Sequence, residues 1–215
     1  ASDVYKRQIL RGFILPKFFL ENCGAYLAAI RSIGRTEEYF YMPVFESAAM
    51  IPPQTRREAL TEVRAQLDTV SGSILNIRVG GNDLSHAFGL RRPANRTIYD
   101  LRPVADILID IVAAFGTQYV VSGPVWEYYS GEGWEEGLRR EMELDLLNGF
   151  TGKTVIHPNQ IPVVNEMLRV SQQDYADARA ILNWDTGSGS LVSASEDGGR
   201  MNEYNTHSRW ARRIV

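Results

Sequence analysis

Two acidic residues, a lysine and a histidine stand where short apolar runs give way to polar residues, and their types suit metal-assisted chemistry on a carbonyl or carboxylate. Glu46 follows the run Tyr39–Phe45, and Asp83 follows Ile74–Val79 and a Gly80-Gly81-Asn82 turn. Carboxylates from neighbouring strands can share one Mg2+ and leave positions for water and substrate oxygens. Each has a blander alternative. Glu46 could be a helix N-terminal acid favoured by the dipole, and Asp83 an Asx-type turn after two glycines. Lys17, after Leu15-Pro16, could contact an anionic substrate or stabilise an enolate. As a Schiff-base lysine it would need a depressed pKa, and its alternative is a salt bridge at a strand end. His157, before Pro158, could donate a proton or anchor a strand–helix turn. One cysteine and three histidines make a soft-metal site a poor fit.

Such residues must be positioned by regular elements, and the sequence alternates strand-like and helix-like segments. Gly12–Lys17, Tyr39–Phe45, Ile74–Val79, Tyr119–Ser122 and Thr154–Ile156 read as short buried strands. Between them, Asn22–Ile33, Pro52–Val70, Val104–Phe115 and Trp134–Asn148 read as helices. Arg56, Arg57, Glu58, Glu62 and Arg64 are assigned to the polar side of the second. Glu135, Glu136, Arg139, Arg140, Glu141 and Glu143 are assigned to the exposed side of the last. Pro158 suits the first position of a further helix, and another begins at Ser171 with Asp174 as its capping acid. This alternation implies parallel strands covered by helices, as in a doubly wound sheet or a barrel. No G-x-G-x-x-G follows a strand, and no G-x-x-x-x-G-K-[ST] is present, so nucleotide folds lose support. In a barrel, reactive groups gather at the C-terminal ends of the strands, where Lys17, Glu46, Asp83, Ser122-Gly123 and His157 all fall.

Composition bounds the alternatives. The chain has 215 residues, 44% hydrophobic and 23% charged, with a net charge of −3. No polyanion partner is implied. The Arg91-Arg92 and Arg96 cluster reads as a solvated loop rather than a nucleic-acid patch. The single cysteine, Cys23, excludes an intrachain disulfide and suits a reducing cytoplasm. No run of 18 apolar residues offers a transmembrane helix, and Arg11 interrupts any signal-peptide pattern. Trp126, Tyr128 and Tyr129 could line a pocket or pack in a core. Ser122-Gly123 is the candidate for a phosphate-binding barrel.

These motifs resemble a known family. The segment GFTGKTVIHPNQI at 149–161 closely resembles the GF-x-GK-x-x-IHP-x-QI signature of the HpcH/HpaI aldolase and citrate lyase β-subunit-like proteins. Val79-Gly80-Gly81-Asn82-Asp83-Leu84 with Phe88-Gly89 looks like its G-x-x-DL…G segment. Met42–Ser47 looks like its strand ending in a metal-binding Glu, and Leu15-Pro16-Lys17 like its PK strand end. SGPVWEYY and RMNEYNTHSRWARR look like the tellurium-resistance, stress-response branch. The resemblance implies an α/β fold, a (β/α)8 TIM barrel N-terminally truncated to the family's fourth to eighth strands, with C-terminal helices.

By the same resemblance, Glu46 and Asp83 are the Mg2+ ligands, and Lys17 and His157 are the catalytic candidates. The expected activity is a Mg2+-dependent carbon–carbon lyase that cleaves or forms a bond next to a carbonyl through a metal-stabilised enolate. The expected substrate is a small-molecule carboxylate or an acyl-CoA. The expected protein is a cytoplasmic homo-oligomer, trimer or hexamer, without nucleic-acid or membrane partners. The alternative is a catalytically silent barrel acting as a binding or scaffold module. Asn82 stands where many relatives carry Glu, which bears on the substrate. The segments read as a non-native stretch at 1–8, a partial barrel at 9–185, a Gly/Ser-rich flexible loop at 186–199 and a C-terminal helix at 200–215. Residues 1–215 alone are expected to be poorly stable and inactive.

Overall fold

A computed structural model describes residues 10–33, 39–185, 187 and 189–215; the expectation for residues 1–8 lies outside them. The chain divides into two compact units, Ala1–Met167 and Leu168–Val215.

In the first unit, β1 (Gly12–Leu15), β2 (Phe40–Phe45), β3 (Ile77–Val79), β4 (Val121–Gly123) and β5 (Gly152–Lys153) form one sheet. Its order is β1-β2-β3-β4-β5, and every pairing is parallel. A doubly wound sheet reverses its strand order part-way. This one never does, which is the arrangement of a barrel wall. Helices α1 (Leu20–Ser32), α2 (Pro53–Asp68), α3 (Gly81–Ala87), α4 (Arg102–Phe115), α5 (Trp134–Leu147) and α6 (Gln160–Met167) accompany the strands.

The period-two pattern of the strands sends Tyr41, Phe45, Ile77, Val79 and Val121 into one buried face. Against it α4 lays a stripe of Val104, Ile107, Leu108, Ile111 and Phe115, the i, i+3, i+4, i+7 spacing of an amphipathic helix. From α2 come Leu60, Val63 and Leu67, all within the same core. The other face of the sheet carries Ile14, Met42, Val44, Asn76, Arg78 and Ser122, by the register of the paired strands. At the β1 end, Ile14 stays 50% exposed.

Four assignments from the sequence are corrected. Arg56 is not on the polar side of α2: it is buried, with Nε 2.8 Å from Asp110 Oδ2 on α4 and a guanidinium N–H donating to the Met50 carbonyl. Arg92 is buried rather than part of a solvated loop, and Glu141 is fully buried rather than exposed. All three are charges that a hydropathy pattern places outside and an ion pair places inside. The fifth strand is Gly152–Lys153, not Thr154–Ile156. Gly152 pairs with Ser122, where a Cβ would sit 2.9 Å from Ser122 Oγ. A glycine and a lysine carry no strand signal in hydropathy.

Lys153 explains the correction. Its ammonium is fully buried, 2.7 Å from both Glu141 Oε1 and Asp145 Oδ2 on α5. Tyr99 donates its O–H to Asp145 Oδ1 at 2.7 Å, and Ile98 N–H donates to Glu141 Oε2 at 2.8 Å. Arg92 Nε lies 2.9 Å from Glu141 Oε2, at an angle too bent for a hydrogen bond, while its Nη2 donates to Glu141 Oε1 and to the Val125 carbonyl. Two cations thus meet two carboxylates. Burial opposes the charge on Lys153, but Glu141 and Asp145 outweigh it and hold the ammonium above the ordinary lysine range. Burial, then the Asp145 charge, keeps the Tyr99 phenol neutral and donating.

In the second unit, α7 (Gln172–Leu182) is capped by Ser171, whose Oγ accepts the Asp174 N–H at 3.0 Å. Helix α8 (Tyr204–Ile214) packs Ala211 on Ala178 and Ile181. A hairpin of β6 (Ser193–Ala194) and β7 (Met201–Asn202) lies between the two helices in sequence, partly within the Gly/Ser-rich stretch. Arg200 holds Asp174 at 2.7 Å and also pairs with Asp177. Residues 186 and 188 of the expected loop lie outside the described residues. Among the described residues no helix is long and apolar enough to cross a membrane.

Breaking the buried network from its cation should be costly. Lys153→Met leaves Glu141 and Asp145 without their shared partner, and the expected loss is about 3–5 kcal/mol. Urea unfolding with an unchanged slope measures it; a loss below about 1 kcal/mol would mean that the carboxylates relax to water or share a proton.

Candidate active site at the strand ends

The site begins with a turn. Lys17, two residues past β1, has φ +51°, the left-handed region that a side chain with a Cβ adopts at a cost. That conformation is held from several sides. The Tyr26 O–H donates to the Pro16 carbonyl at 3.0 Å, and Asn22 Nδ2 donates to the Lys17 carbonyl at 2.7 Å. Asn22 Oδ1 accepts the Phe19 N–H at 3.0 Å, tying the start of α1 to the same turn. The Phe18 N–H reaches the Val44 carbonyl at 2.9 Å.

Held this way, Lys17 faces both candidate carboxylates. Its N–H donates to Glu46 Oε1 at 3.0 Å, and its Nζ lies 3.5 Å from Asp83 Oδ1. Glu46 follows β2 directly and is half-buried. It leans on Gly80, where a Cβ would fall 2.3 Å from Glu46 Oε2, so only glycine leaves the carboxylate its place. The Gly80 N–H donates to the Phe45 carbonyl at 3.0 Å, locking the two strand ends together. Asp83 stands in the first turn of α3 with its side chain 48% exposed, and the Lys17 side chain is 68% exposed. An exposed pair at that separation contributes little to stability. Its value is positional: one lysine touches two acids from the ends of two adjacent strands.

His157 lies elsewhere on the post-strand segments. Its ring stacks on Tyr129, with centroids 4.3 Å apart and planes at 11°. Its Nδ1 accepts the Asn159 N–H at 3.2 Å, which leaves Nε2 as the open ring nitrogen. Among the described residues no contact joins it to Lys17, Glu46 or Asp83. Pro158 sits in the turn before α6 rather than at its first position.

The aromatic residues divide. Trp126 is core, fully buried with Leu138, Met142, Val163 and Val164, while Tyr129 is 44% exposed at the His157 turn. Ser122-Gly123 is no phosphate cradle, because a Cβ at Gly123 would meet the Asp145 carboxylate at 2.6 Å. Sequence reasoning gave no role to Gln160, although it stands in the signature segment. It is fully buried, donates to the Trp126 and Tyr128 carbonyls at 2.8 and 2.9 Å, and accepts the Ile156 N–H at 2.9 Å. It clamps the His157 turn to the segment after β4.

The donor set suits a hard, partly hydrated cation. Among the described residues no group of three or more His, Cys, Asp or Glu side chains forms a closed cage. Two carboxylates with an accessible ammonium beside them leave room for water and substrate oxygens, the arrangement that Mg2+ prefers.

Comparison with known proteins agrees with the fold. The sequence model of the family "C-C bond lyase of the TIM-barrel fold" matches residues 2–215. An L-malyl-CoA/β-methylmalyl-CoA lyase from Cereibacter sphaeroides is 38% identical over 74 residues, which is 34% of this chain and 22% of that protein. CitE from Mycobacterium tuberculosis, solved with magnesium, acetoacetate and coenzyme A, superposes with a TM-score of 0.62 at 21% identity, over 99% of this chain and 71% of that one. A citrate lyase from Burkholderia xenovorans superposes with a TM-score of 0.67 at 15% identity, over 94% of this chain and 61% of that one. The chain therefore spans well under the full length of these relatives.

The Lys17 turn makes a prediction independent of chemistry. Lys17→Gly should fold at least as stably as the parent, whereas Lys17→Val, branched at Cβ in a left-handed conformation, should lose about 1–2 kcal/mol. Thermal unfolding compares them; equal stabilities would contradict the turn geometry.

Proposed function

The chain belongs to the C-C bond lyase family of the TIM-barrel fold, and we propose that the protein is a Mg2+-dependent carbon–carbon lyase in which Glu46 and Asp83 hold the ion. The observation that carries this reading is the meeting of Glu46, Asp83 and Lys17 at the C-terminal ends of adjacent strands, where barrel enzymes keep their chemistry. Mg2+ bound there supplies a Lewis acid for a carbonyl or carboxylate oxygen.

The chain's own residues do the rest. Gly80 gives Glu46 its position, and the Lys17 N–H orients one of its oxygens. The Lys17 ammonium is accessible to a substrate oxygen that gains negative charge as the carbon–carbon bond breaks, and a fixed cation there favours that charge. As the bond breaks, the hydroxyl on one carbon gives up its proton and becomes a carbonyl, and the electron pair left on the carbon next to the other carbonyl takes a proton, with no change of redox state. His157, whose Nε2 is left open by the Asn159 N–H on Nδ1, is the residue proposed to carry one of these protons. The malyl-CoA lyase and CitE likenesses support a small carboxylate or an acyl-CoA as substrate. The SGPVWEYY and RMNEYNTHSRWARR stretches support a place in the stress-response branch.

Glu46→Gln and Asp83→Asn in the intact protein should each weaken Mg2+ binding roughly 100-fold, at or beyond the cost of losing an outer-shell partner. Gly80→Ala should do the same by displacing Glu46. Titration calorimetry with Mg2+ reads all three. Parent-like affinity in both carboxamide variants would remove the metal assignment, and loss of turnover with Mg2+ still bound would move the chemistry elsewhere.

A further inference from the structure

Lys17 enters the site twice, and its two contacts are held with unequal strength. The backbone N–H donates to Glu46 Oε1 at 3.0 Å from a turn fastened by Asn22 and Tyr26. The ammonium approaches Asp83 Oδ1 at 3.5 Å, and its side chain is 68% exposed. An exposed ion pair of that length contributes little and is readily given up. Lys17 thus has a fixed root and a free tip.

Other cations of the chain are held in another way. Its 23 basic residues include three lysines, Lys6, Lys17 and Lys153. Lys153 is fully buried, 2.7 Å from each of two carboxylates. Buried Arg56 lies 2.8 Å from Asp110, and buried Arg92 lies 2.9 Å from Glu141. Each of these is enclosed with its counter-charge. At the rim the chain sets a flexible ammonium against a half-exposed acid. An ammonium on a four-carbon stem is a point charge that can exchange partners, whereas a guanidinium fork grips a carboxylate through two bonds.

A divalent cation ligated by Glu46 and Asp83 competes for the oxygen that this ammonium approaches, and like charges at such range repel. We propose that Lys17 is a displaceable counter-ion: its ammonium and the metal exclude each other at Asp83, while the Lys17 N–H stays on Glu46. Metal binding therefore turns the ammonium toward the open side of the rim. This rests on the lyase reading for the metal and adds an order to it. The ammonium is engaged by Asp83 until the cation enters, so Lys17 becomes available to an anionic ligand only afterwards.

Two measurements on the intact protein test the exclusion. In titration calorimetry with Mg2+ alone, Lys17→Met should bind the ion about tenfold more tightly than the parent, because the competing charge is gone. Lys17→Arg, which keeps the charge and grips Asp83 better, should bind it no more tightly than the parent. Lys17→Gly, which the turn favours, should match Lys17→Met and decides the matter if that variant does not fold. The second measurement is a zero-length carbodiimide cross-link between Lys17 and Asp83, read by peptide mass spectrometry. It should form without Mg2+ and be suppressed by saturating Mg2+. Parent-like or weaker Mg2+ affinity in both Lys17→Met and Lys17→Gly overturns the proposal, as does a cross-link that Mg2+ leaves unchanged. The metal reading stands through either result as long as Glu46→Gln and Asp83→Asn lose Mg2+. Mg2+ affinity unchanged in those two carboxamide variants removes the metal reading and this proposal with it.

Discussion

Two carboxylates brought to one rim repel each other, and at this rim one lysine turn reaches both. Parallel pairing in unbroken order delivers the C-terminal end of every strand to the same edge, so Glu46 and Asp83 become neighbours whether or not their charges agree. Lys17 answers the charge. Its turn adopts a left-handed backbone that aims an N–H at Glu46 and an ammonium at Asp83. Strain of this kind persists only where the surroundings over-determine it, and Tyr26 and Asn22 provide that support. A long, exposed lysine contact is a weak way to neutralise two acids. A divalent cation is a strong one.

The same problem is solved differently on the helix side of the sheet. Lys153, Glu141, Asp145 and Arg92 are removed from water almost completely and balanced two against two. This network fastens α5 to β5 and, through Arg92 and the Ile98 N–H, the segments after α3 to both. Buried ion pairs of this sort add little net stability but punish any arrangement that separates them. They hold β5 against α5, and Gln160 separately ties the His157 turn to the segment after β4.

Much of this was legible in the sequence. Short apolar runs separated by helical periods gave the first four strands in the observed order, and the polar residues following them mark the rim. The α4 stripe from Val104 to Phe115 is as regular as the pattern that announced it. What the sequence concealed were charges that fold inward. Arg56, Arg92 and Glu141 read as solvated because hydropathy scores each residue alone, while burial depends on a partner distant in the chain. The separations from Arg56 to Asp110 and from Arg92 to Glu141 are 54 and 49 residues. Lys153 hid the fifth strand for the same reason. The site was legible as a set of residue types at strand ends. The left-handed turn at Lys17 and the contact between Glu46 and Gly80 were not, since nothing in a Pro-Lys dipeptide announces them.

The central claim is that Glu46 and Asp83 share one hard cation. Its most direct test is a crystal structure of the intact protein grown with Mn2+, using anomalous scattering to place the metal. A single peak about 2.1 Å from an oxygen of each carboxylate, with waters completing an octahedron, is the predicted result. A peak elsewhere, or Lys17 Nζ still against Asp83 with no peak between the acids, would contradict it.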